Sequence, residues 1–373
     1  MPMELTKVLL FGGSYNPVHQ GHINSAINVS KYLNCDEVWL IPRKYNYDGS
    51  LLLSGKHRVN MLKIAIEGLD NFKICDIELK DRSQKLIYTY NTAKILTKKY
   101  KDKCKFYFLV GADQLNNLEH WYEVDKLTKM FEFVCFKRPG YPIDQRIADE
   151  YNIKIIDGQQ IDASSTNVRA GYFDAISDKI QKYINEHQLY LKERIMPKLD
   201  EKRFFHCLST ARLSKKIALS INESTNRAYV AGLLHDIAKG LAYDEMEAII
   251  AKYLKKYQKY PKFSHHAYVS AYLAEKQYGI TDKKILKAIR NHCRPTLNMS
   301  RLDKIIYCAD ILEETRYFAS SVNDLRELAF IDIDKCFVLT LERQINFLKQ
   351  ENQSIDDNIL KVYNFYKKEE ING

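Results

Sequence analysis

The chain has 373 residues, with 28% charged, 46% of hydrophobic types, 14 glycines and 8 prolines. At roughly 100–200 residues per domain the length predicts two domains, and the composition excludes a disordered, collagen-like or loop-dominated chain. The formal charge of +10 is spread as 29 basic and 25 acidic residues over 1–200, then 28 and 22 over 201–373, so no basic tail or half marks a nucleic-acid footprint.

Short apolar runs and amphipathic stretches alternate up to about residue 190. Lys7–Phe11, Glu37–Ile41, Phe72–Ile77, Lys105–Val110, Phe131–Phe136 and Ile153–Ile156 are predicted strands, with helical patterns such as Lys56–Gly68 and Tyr88–Tyr100 between them. Nearly continuous apolar strands joined by helices predict a doubly wound α/β parallel sheet, Rossmann-like, whose ligands lie beyond the carboxyl ends of the strands. Beyond residue 190 the pattern becomes helical: Leu199–Asn222, Thr225–Lys239, Asp244–Tyr257, His265–Tyr278, Lys283–His292, Ser300–Glu314 and two later stretches, stopped at Gly240, Gly279 and Pro295. The expected organisation is an α/β domain over residues 1–194 and an all-α domain over 195–373, with Pro197 near the boundary.

The first strand runs into Gly12-Gly13-Ser14-Tyr15-Asn16-Pro17-Val18-His19-Gln20-Gly21-His22. A strand entering a glycine turn and then a helix offers backbone N–H groups and a positive helix end to phosphate. Two imidazoles three positions apart can both donate to phosphate oxygens there. This string resembles the H-x-G-H signature of the nucleotidyltransferases. With Tyr88-Thr89-Tyr-Asn-Thr92, Phe108-Leu-Val-Gly-Ala-Asp113, Trp121 and Ser164-Ser165-Thr166-Asn-Val-Arg169, the first half is similar to bacterial nicotinate mononucleotide adenylyltransferases. The resemblance implies transfer of an adenylyl group from ATP, with Mg²⁺, to nicotinate mononucleotide. It implies catalytic roles for His19, His22 and Arg169. It also implies nucleotide contacts from Gly12, Gly13, Ser14, Thr89, Asp113, Trp121 and Ser165. The family's Pro-Pro-His-Lys after the second strand is missing; Pro42-Arg43-Lys44 stands there, and Lys44 is taken as the phosphate lysine. The amide mononucleotide or another phosphorylated acceptor remains the alternative.

In the second half histidines carry the signal: His206, His235, His265, His266 and His292, with Asp236 beside His235 and Asp310 on a later helix. Imidazole and carboxylate ligands suit divalent first-row metals. The order His206, His235-Asp236, Asp310 resembles the HD phosphohydrolases. Ala231-Gly-Leu-Leu-His-Asp-Ile-Ala-Lys239, His266-Ala-Tyr-Val-Ser-Ala, Ala288-Ile-Arg-Asn-His292 and Ala309-Asp310-Ile-Leu-Glu-Glu-Thr-Arg316 are similar to the symmetrical diadenosine tetraphosphate hydrolases. The resemblance implies two divalent metals, iron or alternatively manganese, held by His206, His235, Asp236, His266, His292 and Asp310. Asp236 would bridge them as a catalytic residue, while Lys239 and Arg316 contact phosphate and His265 is not a ligand. The HD pair is expected within a continuous helix. Cleavage of another nucleotide, or a non-catalytic nucleotide sensor, is the alternative.

Residues Lys252 to Lys262 interleave lysine with Tyr253, Tyr257 and Tyr260, which is read as a solvated lysine face over packed rings rather than an RNA surface. The eight cysteines are scattered without a C-x-x-C pair, and neither a signal peptide nor a ~20-residue apolar span is evident. The expected protein is a cytoplasmic enzyme acting on small nucleotides (ATP, nicotinate mononucleotide and diadenosine tetraphosphate), without a membrane or nucleic-acid partner. Homo-oligomerisation is left open.

Overall fold

The structure is a computed structural model that describes residues 4–46, 52–81, 87–137, 142–158, 163–315 and 322–372. The chain divides into two units, Met1–Tyr183 and Ile184–Gly373, upstream of the boundary at 194 read from the sequence. The residues between include Leu191, which with Ile195 belongs to the apolar core of the second unit.

In the first unit six strands form one parallel sheet: β1 (Thr6–Gly13), β2 (Glu37–Pro42), β3 (Phe72–Ile74), β4 (Cys104–Gly111), β5 (Glu132–Phe136) and β6 (Lys154–Ile156). Each lies on a run predicted from the sequence. β3 ends early because the chain leaves the sheet after Ile74 and coils into the short helix Ile77–Lys80. Val8, Leu9 and Leu10 are successive and fully buried, so both faces of β1 are covered, as a parallel sheet between helices requires. The helix Gln20–Leu33 supplies cover through Ile23, Ala26 and Val29, which share one face by their spacing of three. The order β3-β2-β1-β4-β5-β6 places a switch point between β1 and β4. Connections leave these two strands in opposite directions, which opens a crevice at their carboxyl ends.

The second unit is helical, with no strand among its described residues. Its long elements are Glu201–Ser220, Thr225–Leu234, Tyr243–Tyr253, His265–Lys276, Lys283–Asn291, Arg301–Leu312, Ile333–Gln350 and Asp357–Asn372. Glu201–Ser220 and Thr225–Leu234 cross closely at Gly232. A Cβ there would stand 2.8 Å from the Ala211 Cα, so a hydrogen at this position permits the approach. One expectation is corrected. The HD pair is not inside a continuous helix: the α-helix ends at Leu234, His235 caps it, and Asp236 leaves helical geometry at φ −113° and ψ 15°. Adjacent residues on an α-helix point about 100° apart, and breaking the helix lets both side chains face one centre. No described helix of the chain is long and apolar enough to cross a membrane.

Candidate active sites

The crevice at the switch point holds a cavity of about 530 Å³, lined by the ends of β1, β2 and β4 (including Gly12, Gly13, Ile41 and Gly111) and by Ser14, His22, Thr89, Asp113 and Trp121. The His19 and His22 rings lie against each other, with centroids 3.7 Å apart and planes tilted by 30°. Gly21 makes this possible, since a Cβ there would press 3.1 Å from His19 Nδ1. The His19 backbone N–H donates to His22 Nδ1 at 3.2 Å. Nδ1 therefore carries the lone pair, and the neutral His22 ring keeps its proton on Nε2 as a donor.

The short helix Ser165–Arg169 docks on the same loop: Ser165 Oγ donates to the Pro17 carbonyl at 2.8 Å, and Arg169 Nη1 to the Asn16 carbonyl at 2.7 Å. Trp121 packs edge-on against Phe108 and Phe133 while presenting its remaining surface to the cavity. Asp113 occupies the first turn of Ala112–Leu115, whose N-cap is Gly111.

The structure turns Lys44 elsewhere, its amine donating to the Asp81 carbonyl at 2.7 Å, while neighbouring Arg43 lines the cavity. Successive residues of an extended segment point to opposite sides, so a one-residue shift in a loose motif changes which cation faces inward. Sequence reasoning also missed Glu78. It lines the cavity and accepts from Thr92 Oγ1, and burial pushes its carboxyl up against the opposing pull of Thr92, Arg43 and Arg58. Buried Arg58 holds the loop after β1 by donating to the Ser14 carbonyl at 2.7 Å.

In the second unit the four predicted histidine ligands and both aspartates converge. Around His206 Nε2 lie His235 Nε2 at 3.1 Å, Asp310 Oδ1 at 2.9 Å and Asp236 Oδ2 at 3.7 Å. The other Asp236 oxygen, Oδ1, faces His266 Nε2 at 3.3 Å and His292 Nε2 at 3.4 Å, and those two nitrogens are 3.2 Å apart. One carboxylate thus turns an oxygen to each of two ligand groups.

The tautomers agree with this geometry. Carbonyls only accept, so His235 Nδ1–H donates to Gly232 and His292 Nδ1–H to Ile289, both at 2.7 Å. His206 Nδ1–H donates to Glu313 Oε1 at 3.0 Å, a carboxyl that burial would raise but that His206 and Thr315 bring down to about 2. Burial pushes His235 below its ordinary value, and burial together with His292 brings His266 to about 3. His206, His235, His266 and His292 all direct Nε2 into the centre, where ring nitrogens and carboxylate oxygens crowd to about 3 Å, an arrangement that suits a cation between them. Ligands about 2.1 Å from one ion stand about 3.0–3.4 Å apart in octahedral or tetrahedral arrangements, a range that holds the His206–His235, His266–His292, His266–Asp236 and His292–Asp236 separations. Asp236 Oδ1, buried without a hydrogen-bond partner, is a second sign that these residues fit divalent metal.

Lys239 Nζ reaches Asp236 Oδ2 at 3.0 Å. His265 is occupied away from the centre, Nδ1 on Glu247 at 2.6 Å and Nε2 on the Tyr260 carbonyl at 3.1 Å. Arg316 lies outside the described residues. Two residues were missed: Glu313, three positions after Asp310, and Arg203, three before His206, whose Nη1 is 2.6 Å from Asp236 Oδ2. Helical spacing to a ligand was the available signal for Arg203.

Residues 10–171 match the Cytidylyltransferase-like family and residues 203–315 the HD domain. A Mycoplasma genitalium protein named probable nicotinate-nucleotide adenylyltransferase/Ap4A hydrolase is 32% identical over 92% of this chain and 99% of its own length. Its Mycoplasma pneumoniae counterpart, with the same name, is 30% identical over 90% and 98%. The chain belongs to this two-domain family. It is an enzyme that joins a nucleotidyltransferase domain to an HD hydrolase domain. The first half also has single-domain relatives. A Bacillus subtilis nicotinate-nucleotide adenylyltransferase is 31% identical over 50% of this chain and 99% of its own. A Clostridium acetobutylicum structure described as a predicted HD superfamily hydrolase involved in NAD metabolism is 29% identical, covers 48% of this chain and 96% of its own, and has a TM-score of 0.43.

Proposed function

We propose that the chain carries two activities: adenylyl transfer from ATP to nicotinate mononucleotide within residues 1–194, and hydrolysis of diadenosine tetraphosphate to ADP within 195–373. The observation that carries this reading is the near end-to-end similarity to relatives named for both activities, together with two separate sites assembled on one chain.

In the first site the mononucleotide 5′-phosphate attacks the α-phosphorus of Mg²⁺-bound ATP, and pyrophosphate leaves. Such transfer asks a protein chiefly for alignment and neutralisation of charge. His22 donates from Nε2 and His19 stacks on it to hold the phosphates, with backbone N–H groups of Gly12, Gly13 and Ser14 beside them. Ser165 and Arg169 clamp the leaving pyrophosphate, Arg169 exchanging the Asn16 carbonyl for phosphate oxygens. Asp113 takes the ribose, Thr89 lines the acceptor side, and Trp121 stacks on the pyridine ring. Arg43, rather than Lys44, supplies the cation of this cavity.

In the second site His206, His235, Asp236 and Asp310 would hold one metal, and Asp236, His266 and His292 another, iron or manganese. When bound, two such ions activate water and neutralise the phosphate under attack. Asp236 would serve both, Glu313 and the helix-end carbonyls orient the ligand rings, and Lys239 lies within reach of phosphate. The eight free cysteines, scattered through the chain, support a reducing cytoplasmic setting.

Two variants of the full chain test the assignment. His19→Ala should lower pyrophosphate release with nicotinate mononucleotide at least a hundredfold and leave ADP release from diadenosine tetraphosphate within twofold of the parent. Asp236→Ala should do the reverse. A parent protein that turns over neither pyridine mononucleotide overturns the first activity, and one that loads metal but frees no ADP overturns the second.

A further inference from the structure

Asp236 Oδ2 is over-subscribed. It faces His206 Nε2 and His235 Nε2 at 3.7 and 3.6 Å, as a shared ligand would, yet it also receives Arg203 Nη1 at 2.6 Å and Lys239 Nζ at 3.0 Å. A carboxylate oxygen accepts about two strong partners. A divalent ion coordinated there takes one lone pair and repels both nearby cations, so at least one of them must turn to another anion. Both sit at the rim of the centre, Arg203 30% and Lys239 36% exposed, and of the two only Arg203 presents a planar fork that engages two oxygens at once.

Its location favours an anion of a particular kind. Arg203 is in the first turn of the helix Glu201–Ser220, one turn before His206 on the same face, with its backbone N–H capped by Asp200 at 2.8 Å. The positive end of a 20-residue helix and a planar guanidinium together suit the paired oxygens of a phosphate group.

We propose that Arg203 is a phosphate-binding residue of the HD centre: its guanidinium exchanges Asp236 Oδ2 for oxygens of a di- or polyphosphate chain when metal and substrate occupy the site. The substrate class rests on the hydrolase reading above, whereas the exchange rests on the contacts of Asp236. Lys239, on the same oxygen, is the second cation of the pair, and its flexible ammonium can serve the carboxylate or the phosphate as a point charge.

The test uses the full-length chain loaded with Mn²⁺, without nucleotide, and titrated with inorganic phosphate while the Mn²⁺ electron paramagnetic resonance signal is followed. Arg203→Ala should weaken phosphate binding about tenfold or more with metal content unchanged, as expected for loss of a charge-assisted contact. Arg203→Lys, which keeps the charge but not the fork, should fall between it and the parent. Michaelis constants for diadenosine tetraphosphate should rise in the same order, with a smaller change in kcat. Unchanged phosphate affinity in Arg203→Ala overturns the proposal. So does a parallel fall in metal content in both variants, which would make Arg203 a support for Asp236 alone. A parent chain that binds phosphate this way but cleaves no dinucleotide sinks the hydrolase reading and leaves the Arg203 assignment standing.

Discussion

Glu313 shows how much of a site can rest on a residue that is not one of the expected ligands. Its carboxylate is fully buried, accepts the Nδ1 proton of His206 and is braced by the backbone and hydroxyl of Thr315. Replacing the carboxylate by an amide keeps the shape but removes the charge that fixes the imidazole tautomer. Glu313→Gln should weaken metal binding about 10- to 100-fold, measured by titrating metal into the chelator-stripped chain. The same geometry makes a pH prediction. His266 sits near 3 and His235 below its ordinary 6.5, both through burial. Between about pH 6.5 and 3 the unfolded chain binds protons that folded His266 does not, so stability rises with pH in that window. The metal-free chain should therefore melt progressively lower as pH falls below 6.5. A flat melting temperature from pH 6.5 to 4.5 would contradict the assigned neutrality of these rings.

At the scale of elements, part of each site is built where regular structure stops. His19 and His22 stand at the start of Gln20–Leu33; His235 and His292 cap the C-terminal ends of Thr225–Leu234 and Lys283–Asn291. A helix end has backbone groups without intrahelical partners, and the two capping histidines donate to carbonyls three residues back to fix their rings. The crossing of Glu201–Ser220 with Thr225–Leu234 sets the distance between His206 and His235. Gly232→Val should force those helices apart, costing about 1–3 kcal/mol and lowering both melting temperature and metal retention. Retention of metal at parental affinity would show that the centre tolerates the shift. In the Lys/Tyr stretch Tyr257 stacks on Tyr268 with centroids 4.0 Å apart, Tyr253 stacks on Tyr272, and Lys252, Lys256 and Lys259 lie over the rings of their neighbours.

Across the whole molecule, each unit has its own apolar core and its own site, so each should respond alone to its own ligand. Calorimetry should show two transitions. Stripping the metal should lower only the one belonging to Ile184–Gly373, and adding ATP with Mg²⁺ should raise only the other, because a ligand stabilises the unit that binds it. One cooperative transition moved equally by both ligands would contradict independent units.

What the sequence determined by itself was whatever depends on neighbours along the chain. The six strands follow from apolar runs, the His-x-x-His spacing with Gly21 predicts two rings at one helix start, and the order of histidines and aspartates predicts a metal set. What only the tertiary structure decided was which groups from distant elements share a point in space. Asp236 turns one oxygen to each ligand group, Arg203 meets Asp236 across 33 residues, Glu313 meets His206 across 107, and Arg43 rather than Lys44 faces the cavity. Local spacing fixes the face a side chain occupies, but helix crossings and loop directions, set by packing, fix what it faces.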